Sequence, residues 1–553
     1  MLTPHLKLKV QTIIVFSLVL TTLLITPWLN LDPINLPKFL VLIMTGFLTL
    51  GIIGPNFIFE KRSKLQIPTL ASLSFILMLF LVYFSHPDSP NQLFGTFGRN
   101  TGLLSYISLT LLFWGVICVS TLDFFSKILY ALVFTGVINS FYGLIQWLNL
   151  DPVFWNNIYN PIIGTLGNSN FISAHLGMAA LAALNLCLGD IKVGTGIFLT
   201  LSILLFLFVI FKSESSQGLL ISGLGAGITL YFRFFRERLI LGSLYISCLI
   251  TLTLLGILGI FNKGPMSQYI YQDSLSFRGD YWRAAWRMTL DNPFVGIGLD
   301  SYGDWYRYYR DEAAALRRGP DVTSNSAHNV FLDISSNGGF LLLLTYMLIT
   351  GLIFRSVFRV FKRLKTFDSI GVGLVVTWIA YQTQSIISIN QLGLAIWGWV
   401  LGGAIVGYDF LFESSPINKR NQFQHKERNL LPVNSIFFGC VGLAGGLLLA
   451  IWPVVKDASM KSAMERGDAT RIIKVSNQFP ANNFYLNYTG DFLLSHGLND
   501  QALEVAKKSI EINSQDFDAW KLLSENPNLS VTERSDVLLK MKAIDPYNPN
   551  LME

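Results

Sequence analysis

The chain has 553 residues, of which 52% are hydrophobic and only 14% charged, against roughly 25% charged in an average soluble domain. Mean hydropathy is +0.47, and apolar runs of about 20 residues recur as far as Val455, which excludes a soluble globular enzyme, a disordered chain and a fibrous repeat and predicts an all-α polytopic membrane bundle. The net charge of +6 requires no nucleic-acid partner, because membrane proteins concentrate Lys and Arg in cytoplasmic loops.

Thirteen apolar segments follow in chain order, at about 10–29, 37–59, 67–85, 102–121, 124–148, 169–189, 191–211, 217–235, 239–261, 328–354, 368–389, 391–411 and 433–455. Each is long enough to cross about 30 Å of hydrocarbon as a helix. The first lacks a small-residue cleavage site and reads as an uncleaved span. The eleventh and twelfth almost touch at Asn390-Gln391. Cys118, Cys187, Cys248 and Cys440 all fall inside apolar runs, at spacings that fit neither a metal site nor a disulfide framework. Acidic residues form no cluster of the kind a metal-dependent transferase uses, so neither metal nor cofactor is expected. Gly223, Gly227 and Gly402-Gly403 read as close helix contacts, His86 as a solvated loop residue, and Asp333 as a charge near headgroup depth.

Placing Lys7 and Lys9 inside assigns to inner loops Lys61, Arg62, Lys64, Lys127, Lys192, Arg233, Arg236, Arg238, Arg355, Arg359, Lys362, Arg363, Lys365, Lys419, Arg420, Lys426 and Arg428, nineteen basic residues with the N-terminal pair. The short outer loops carry three, Lys38, Arg99 and Lys212. That split follows the positive-inside rule and predicts a cytoplasmic N-terminus and an extracytoplasmic C-terminus. Residues 1–455 then form the transmembrane domain, with a large outer loop at 262–327, and residues 456–553 an outer tail. ATP and sugar nucleotides are scarce on that side, so an enzyme there needs a preactivated, lipid-linked substrate.

The 262–327 loop carries Lys263 and seven arginines, Arg278, Arg283, Arg287, Arg307, Arg310, Arg317 and Arg318, balanced by eight Asp and Glu. The arginine bias matters because a planar guanidinium grips phosphate oxygens bidentately and an ammonium does not. Asp280 is placed to cap a helix over Tyr281–Leu290, with Pro293 beyond its end. On it Trp282, Trp286 and Thr289 share one face, and Arg283 and Arg287 another. A second helix is expected from Ser301 to Arg318, stopped by Gly319-Pro320, with Trp305, Tyr306, Tyr309 and Ala313 as its apolar face. Both read as interfacial helices, aromatics at headgroup depth and arginines reaching polar groups. The loop ends in Thr323-Ser324-Asn325-Ser326-Ala327-His328-Asn329, whose Ser or Asn side chains can cap the tenth span. His328 then stands in or beside a first turn, where free N–H groups attract phosphate and disfavour imidazolium. A neutral histidine there suits a general base; an interfacial histidine that only hydrogen-bonds fits the same residues.

The tail is polar, with short amphipathic patterns and a weak 34-residue period linking Pro480 to Ser514. Gly490, Gly497 and Ala502 match small positions of a tetratricopeptide repeat, Trp520 the aromatic of the next unit, and Asp545-Pro546 its end. Two to three degenerate helix–turn–helix repeats are expected, offering a surface for a protein or glycan partner, or serving as a cap. The tail lacks an Arg/His constellation and reads as an accessory.

Three stretches, taken in order, resemble the O-antigen ligase and polymerase family: Ser276-Phe277-Arg278-Gly279-Asp280-Tyr281-Trp282; Asn292-Pro293-Phe294-Val295-Gly296-Ile297-Gly298; and Ser326-Ala327-His328-Asn329 with Gly338-Gly339 following. Gly164-Thr165-Leu166-Gly167-Asn168-Ser169-Asn170-Phe171 and Gly98-Arg99-Asn100-Thr101-Gly102 also resemble outer-loop motifs of that family. The resemblance spans roughly residues 95–355. It implies a bacterial inner-membrane glycosyltransferase, independent of metal, that takes an undecaprenyl-diphosphate-linked glycan as donor and passes it to a lipid, glycan or protein acceptor. In it Arg278 matches the family's loop arginine and His328 its histidine, with Arg283, Arg287 and Asn329 beside them as substrate-binding candidates. The family's second arginine has no counterpart: the turn before the eighth span reads Lys212-Ser213-Glu214-Ser215-Ser216-Gln217-Gly218. That leaves Lys212, as a point charge, or Arg99 to contact the second phosphate. Ligase, repeat-unit polymerase and protein O-oligosaccharyltransferase are not separated by these residues; a flippase of lipid-linked glycans or a membrane scaffold are the alternatives from other classes.

Overall fold

The computed structural model describes residues 3–58, 63–155, 161–260, 262–270, 273–413 and 432–551. The basic residues Lys61, Arg62, Lys419, Arg420, Lys426 and Arg428, assigned above to inner loops, lie outside them. The first half is a run of apolar helices: α1 (Pro4–Leu23), α2 (Asn35–Ile58), α3 (Ser63–Ser85), α4 (Leu103–Val119), α5 (Leu122–Trp147), α6 (Ser169–Cys187), α7 (Val193–Lys212), α8 (Ser216–Leu230) and α9 (Leu239–Ile260). The large loop holds α10 (Ser267–Ile270), α11 (Asp273–Asp291), α12 (Tyr302–Tyr309) and α13 (Glu312–Arg318). Apolar helices resume with α14 (Val330–Arg363), α15 (Ser369–Ser385), α16 (Leu392–Glu413) and α17 (Pro432–Glu465). The tail follows as α18 (Ala469–Ser476), α19 (Asn483–Ser495), α20 (Asn499–Ile512), α21 (Phe517–Glu525) and α22 (Val531–Ile544). Among the described residues there is no strand.

Each of the thirteen apolar segments contains one helix. Among the described residues eleven helices are long and apolar enough to cross a membrane, while α4, with 17 residues, is a shorter apolar helix and α15 has the same length. The four cysteines are free. The protein is a multi-pass helical membrane protein. Its core gathers around α4, α6 and α16: α4 lies against α2 and α16, and α6 against α5, α7, α8 and α15. Small residues set the closest approaches, as expected where helices meet without a hydrophobic driving force. A Cβ on Gly51 of α2 would stand 2.1 Å from the Phe438 carbonyl oxygen of α17, and one on Gly403 2.6 Å from that of Phe113. Gly227 and Gly402 likewise meet Leu249 and Ile353. Gly223 departs from the expectation: it meets nothing, because it lines a cavity.

The α17 helix carries the chain directly into the tail. Asp457 accepts hydrogen bonds from the backbone N–H of Leu31 at 2.6 Å and from the Tyr485 hydroxyl at 2.8 Å, tying the α1–α2 turn to α19. Lys456 donates to the carbonyls of Ser476, Gln478 and Pro480. The tail helices contact one another in chain order, α19 also reaching α21. Gly490 allows this contact, since a Cβ would stand 2.1 Å from Leu522. Ala502 is fully buried, and Gly497 turns the chain between α19 and α20 at φ +73°.

Candidate active site

The loop folds differently from its sequence pattern in two respects. Helix α11 already covers Asp273–Asp291, so Asp280 lies inside it and is no cap; its buried carboxylate takes Arg283 at 2.5 Å and Arg317 at 3.5 Å. The expected Ser301–Arg318 helix is two helices. Arg310 is extended, and Asp311 caps α13 by accepting from the Ala314 N–H at 2.8 Å. The apolar and aromatic side chains buried are Tyr302, Tyr306, Tyr309, Ala314 and Ala315; Ala313 is exposed. Helix α11 keeps Trp286 and Leu290 exposed, with Phe294 beyond its end, as an interfacial helix should. Helix α12 instead lies between α11, α14 and α22 of the tail. There Arg310 and Arg307 reach Asp545 at 2.7 and 3.0 Å, not phosphates.

The glycine motifs lock the loop to α14. At Gly339 the helix breaks, with φ +70° and ψ −176°. The Ser336 and Asn337 carbonyls, which would serve the helix ladder, accept from the N–H groups of Ile297 and Gly298 at 3.0 and 3.1 Å, and Phe340 donates to the Pro293 carbonyl at 2.7 Å. Gly296 has φ +64°, and a Cβ there would stand 2.4 Å from the Asn337 carbonyl carbon. The Gly-x-Gly turn and the Gly-Gly pair are therefore two sides of one backbone junction. His86 joins it: its ring contacts the carbonyls of Gly296 and Val82, each at 3.0 Å, so it is not the solvated residue expected.

Beneath this junction lies a buried charge network. Arg99 stands 3.4 Å from Asp300 and 3.8 Å from Asp333, and donates to the Asn325 carbonyl. Asp300 also accepts from the Thr96 N–H at 2.8 Å and the Thr101 hydroxyl at 3.0 Å. Asp333, in the first turn of α14, accepts from the Ala327 N–H and the Ser326 hydroxyl, both at 2.7 Å. The Gly98–Gly102 motif thus wraps a counter-charge for the loop. Asn100, Asp300 and His328 all have φ between +52° and +55°, a region costly for residues other than glycine. The network holds them there.

His328 is aimed by this scaffold. Asn329 caps α14, its side-chain oxygen accepting from the N–H groups of Phe331 and Leu332 at 3.0 and 3.1 Å, so His328 precedes the cap rather than entering the first turn. The His328 N–H donates to the Ser326 hydroxyl at 3.0 Å. Its ring stacks on Tyr281, centroids 5.3 Å apart and planes at 25°. Burial, then the charges of Arg278, Arg99 and Arg318, push the imidazole down to about 3, so it is neutral at physiological pH. The Tyr302 hydroxyl donates to the Tyr281 carbonyl at 2.9 Å, which fixes α12 to α11 at this point.

Arg278 is 7% exposed, and its Nη1 is buried with no hydrogen-bond partner. Among the described residues no carboxylate lies within ion-pair distance of it. Burial pushes its guanidinium down to about 10, yet it stays charged near neutral pH. A buried cation without an anion is costly, and such a cost persists where a ligand supplies the anion. Arg278 lines a cavity of about 910 Å³ between α8, α9, α11 and α15, whose walls include Leu220, Leu224, Leu252 and Ile387. Gln217 and Trp282 also line it, and both Gln217 amide atoms and the Trp282 Nε1 are buried and unpartnered. The site is an apolar chamber with orphaned polar groups and one cation in its lining. Neither Gln217 nor the chamber was singled out from sequence, although Gln217 stands in the turn that departs from the family pattern.

The remaining candidates are engaged elsewhere. Arg99 is neutralised by Asp300 and Asp333, and so is not free to take a phosphate. Lys212 sits over the Trp147 ring at 4.6 Å and is not among the chamber's lining residues. Arg283 pairs with Asp280 and Asp311, and Arg287 donates to the Tyr309 carbonyl at 3.3 Å. Asn168 caps α6, and Asn170 accepts from the Ser215 hydroxyl. Among the described residues no three His, Cys, Asp or Glu side chains group to hold a metal ion.

In this multi-pass bundle the large loop presents a neutral histidine and an unpaired arginine beside an apolar cavity. Residues 201–347 match the family model described as O-antigen ligase, a stretch running from α7 to the middle of α14 that includes Arg278 and His328. That stretch is similar to the O-antigen ligase family, whose members transfer glycans at membranes. No curated protein matches the sequence.

Proposed function

We propose that the protein transfers a glycan from an undecaprenyl-diphosphate-linked donor to an acceptor hydroxyl at the outer face of the bacterial cytoplasmic membrane. The observation that carries this reading is the unpaired, buried guanidinium of Arg278 in the lining of an apolar chamber. Polyprenyl chain and diphosphate are joined in one donor, and these two environments are joined in one site. The prenyl chain occupies the chamber and the diphosphate meets Arg278. The acceptor oxygen attacks the anomeric carbon and loses its proton to His328. The bond from that carbon to the phosphate oxygen breaks, and the lipid diphosphate leaves with the electron pair, its added charge balanced by Arg278. Donor binding brings negative charge beside Arg278, which lifts the proton affinity of His328 at the moment a base is required.

The topology belongs to the same reading: thirteen spans, N-terminus inside, residues 262–327 and the 456–553 tail outside, the tail a tetratricopeptide-like unit for an acceptor-bearing or protein partner. Purified protein given undecaprenyl-diphosphate glycan and acceptor should release undecaprenyl diphosphate in step with glycosylated acceptor. Donor translocation across vesicles without release would make it a flippase instead, and neither activity would leave a scaffold.

A further inference from the structure

Diphosphate has two charged phosphoryl groups, and Arg278 is one cation. The loop offers seven arginines, and most are already committed. Arg283, Arg307, Arg310 and Arg317 pair with Asp280, Asp311 or Asp545 at 2.5–3.5 Å, and Arg287 donates to a backbone carbonyl. Among the described residues this leaves Arg278 and Arg318 with neither a carboxylate nor a carbonyl. Both belong to the same cluster. The Arg318 guanidinium lies over the Phe277 ring at 4.1 Å and the Tyr281 ring at 5.4 Å, and its Nη1 donates to the Tyr281 hydroxyl. Phe277 precedes Arg278, and Tyr281 is the ring on which His328 stacks. Stacking holds a guanidinium flat while leaving its remaining N–H edges free. Arg318 is half-buried, open enough to meet a ligand and fixed enough to orient one. It lies outside the chamber lining, whereas Arg278 is part of it.

We propose that Arg318 is the second diphosphate ligand of this chain, binding the glycan-side phosphate while Arg278 binds the prenyl-side one. This rests on the donor reading given above. As the glycosidic bond to phosphate breaks, the oxygen that keeps the electron pair belongs to the phosphate Arg318 holds, so Arg318 adds to the balance that Arg278 gives the diphosphate as a whole, at the atom where charge develops. A lipid monophosphate, lacking that group, is held by Arg278 alone.

The test measures dissociation constants of the purified full-length protein for undecaprenyl diphosphate and undecaprenyl monophosphate. Arg318→Ala should weaken diphosphate binding roughly 10-fold or more, the loss of a charge-assisted contact, and leave monophosphate binding within about 2-fold on the same grounds. Arg278→Ala should weaken both. Should Arg318→Ala not fold, Arg318→Gln keeps a flat amide over Phe277 and a donor for Tyr281 while removing the charge, and carries the same expectation. If the wild type binds both lipids and the Arg318 variant matches it, or loses both equally, this inference is overturned while the donor reading stands. A wild type that binds neither lipid overturns the donor reading, and this inference with it.

Discussion

Asp545→Ala tests whether the tail is part of the site's architecture. Asp545 is fully buried at the end of α22. It accepts from Arg310 Nη2 at 2.7 and 2.8 Å, from Arg310 Nε at 3.2 Å, from Arg307 Nη1 at 3.0 Å and from Asn548 at 3.1 Å. Arg307 also lies 4.0 Å over the Phe517 ring of α21. Removing the carboxylate strands a wholly buried guanidinium, and breaking such a pair from one side costs about 3–5 kcal/mol. At 1.36 kcal/mol per tenfold change that is roughly 10²–10⁴ in the docking equilibrium between tail and loop. The loss should appear as faster proteolysis of the α21–α22 segment and a lower melting temperature of the purified protein. Transfer should slow as well, because α12 carries Tyr302, whose hydroxyl holds the Tyr281 carbonyl beneath His328. Asp545→Leu combined with Arg310→Met, which replaces pair by packed apolar volume, should recover most of the stability. Truncation after Asp457 removes the same carboxylate and should impair transfer, against the expectation that the tail is only an accessory. Asp545→Ala with unchanged protease protection would refute the reasoning.

His328→Ala should lower turnover roughly 10²-fold or more with donor affinity little changed; weakened donor binding with intact turnover would make His328 a phosphate ligand instead. Because its free-enzyme value lies near 3, kcat/KM should show no histidine-dependent fall between pH 8 and pH 5, and an acid limb near 6.5 that vanishes in His328→Ala would contradict that environment. Arg278→Lys keeps the charge but not the planar fork and should remain impaired in a donor-binding titration. At the tail junction, burial and the neighbouring Asp516 push Asp304 up to about 7, with Asn513, Asn91 and Asp300 also facing it, and burial pushes Asp516 up to about 6. Both values are raised above the unfolded one, so their stabilising contribution is complete below about pH 4 and is lost as pH rises towards 7; thermal melts should show the junction stronger at pH 5 than at pH 8, and Asp304→Asn should flatten that difference.

Much of the fold was legible because the membrane imposes it. Backbone groups must be satisfied within each segment, so apolar length alone located every helix of the bundle, including α4 and α15 at 17 residues. The polar loop has no such constraint. Its helix limits depend on tertiary partners, and Asp280 reads as a cap only if Arg283 and Arg317 are not known to surround it. A single carboxylate cap at Asp311 split the second loop helix, and Asp311 looks like any other charged residue in an Arg-rich stretch.

Of the candidate site, the motif residues Arg278 and His328 were legible from sequence, and they fall in one structural cluster. What sequence cannot weigh is which charges are already spent. Arg99 and Arg318 are equivalent as letters, both arginines flanking glycines. Arg99 is closed off by Asp300 and Asp333, which come from 200 or more residues away in the chain, at 3.4 and 3.8 Å. Arg318 is left facing two aromatic rings and a hydroxyl. A diphosphate site needs cations whose counter-charge is missing, and a missing counter-charge is a property of the folded neighbourhood. The glycine junction between Gly296 and Gly339 creates that neighbourhood, by bringing the loop onto α14 just after the arginine-rich helix has passed the chamber. Substituting either glycine should therefore displace Arg278 and His328 relative to each other without touching either side chain.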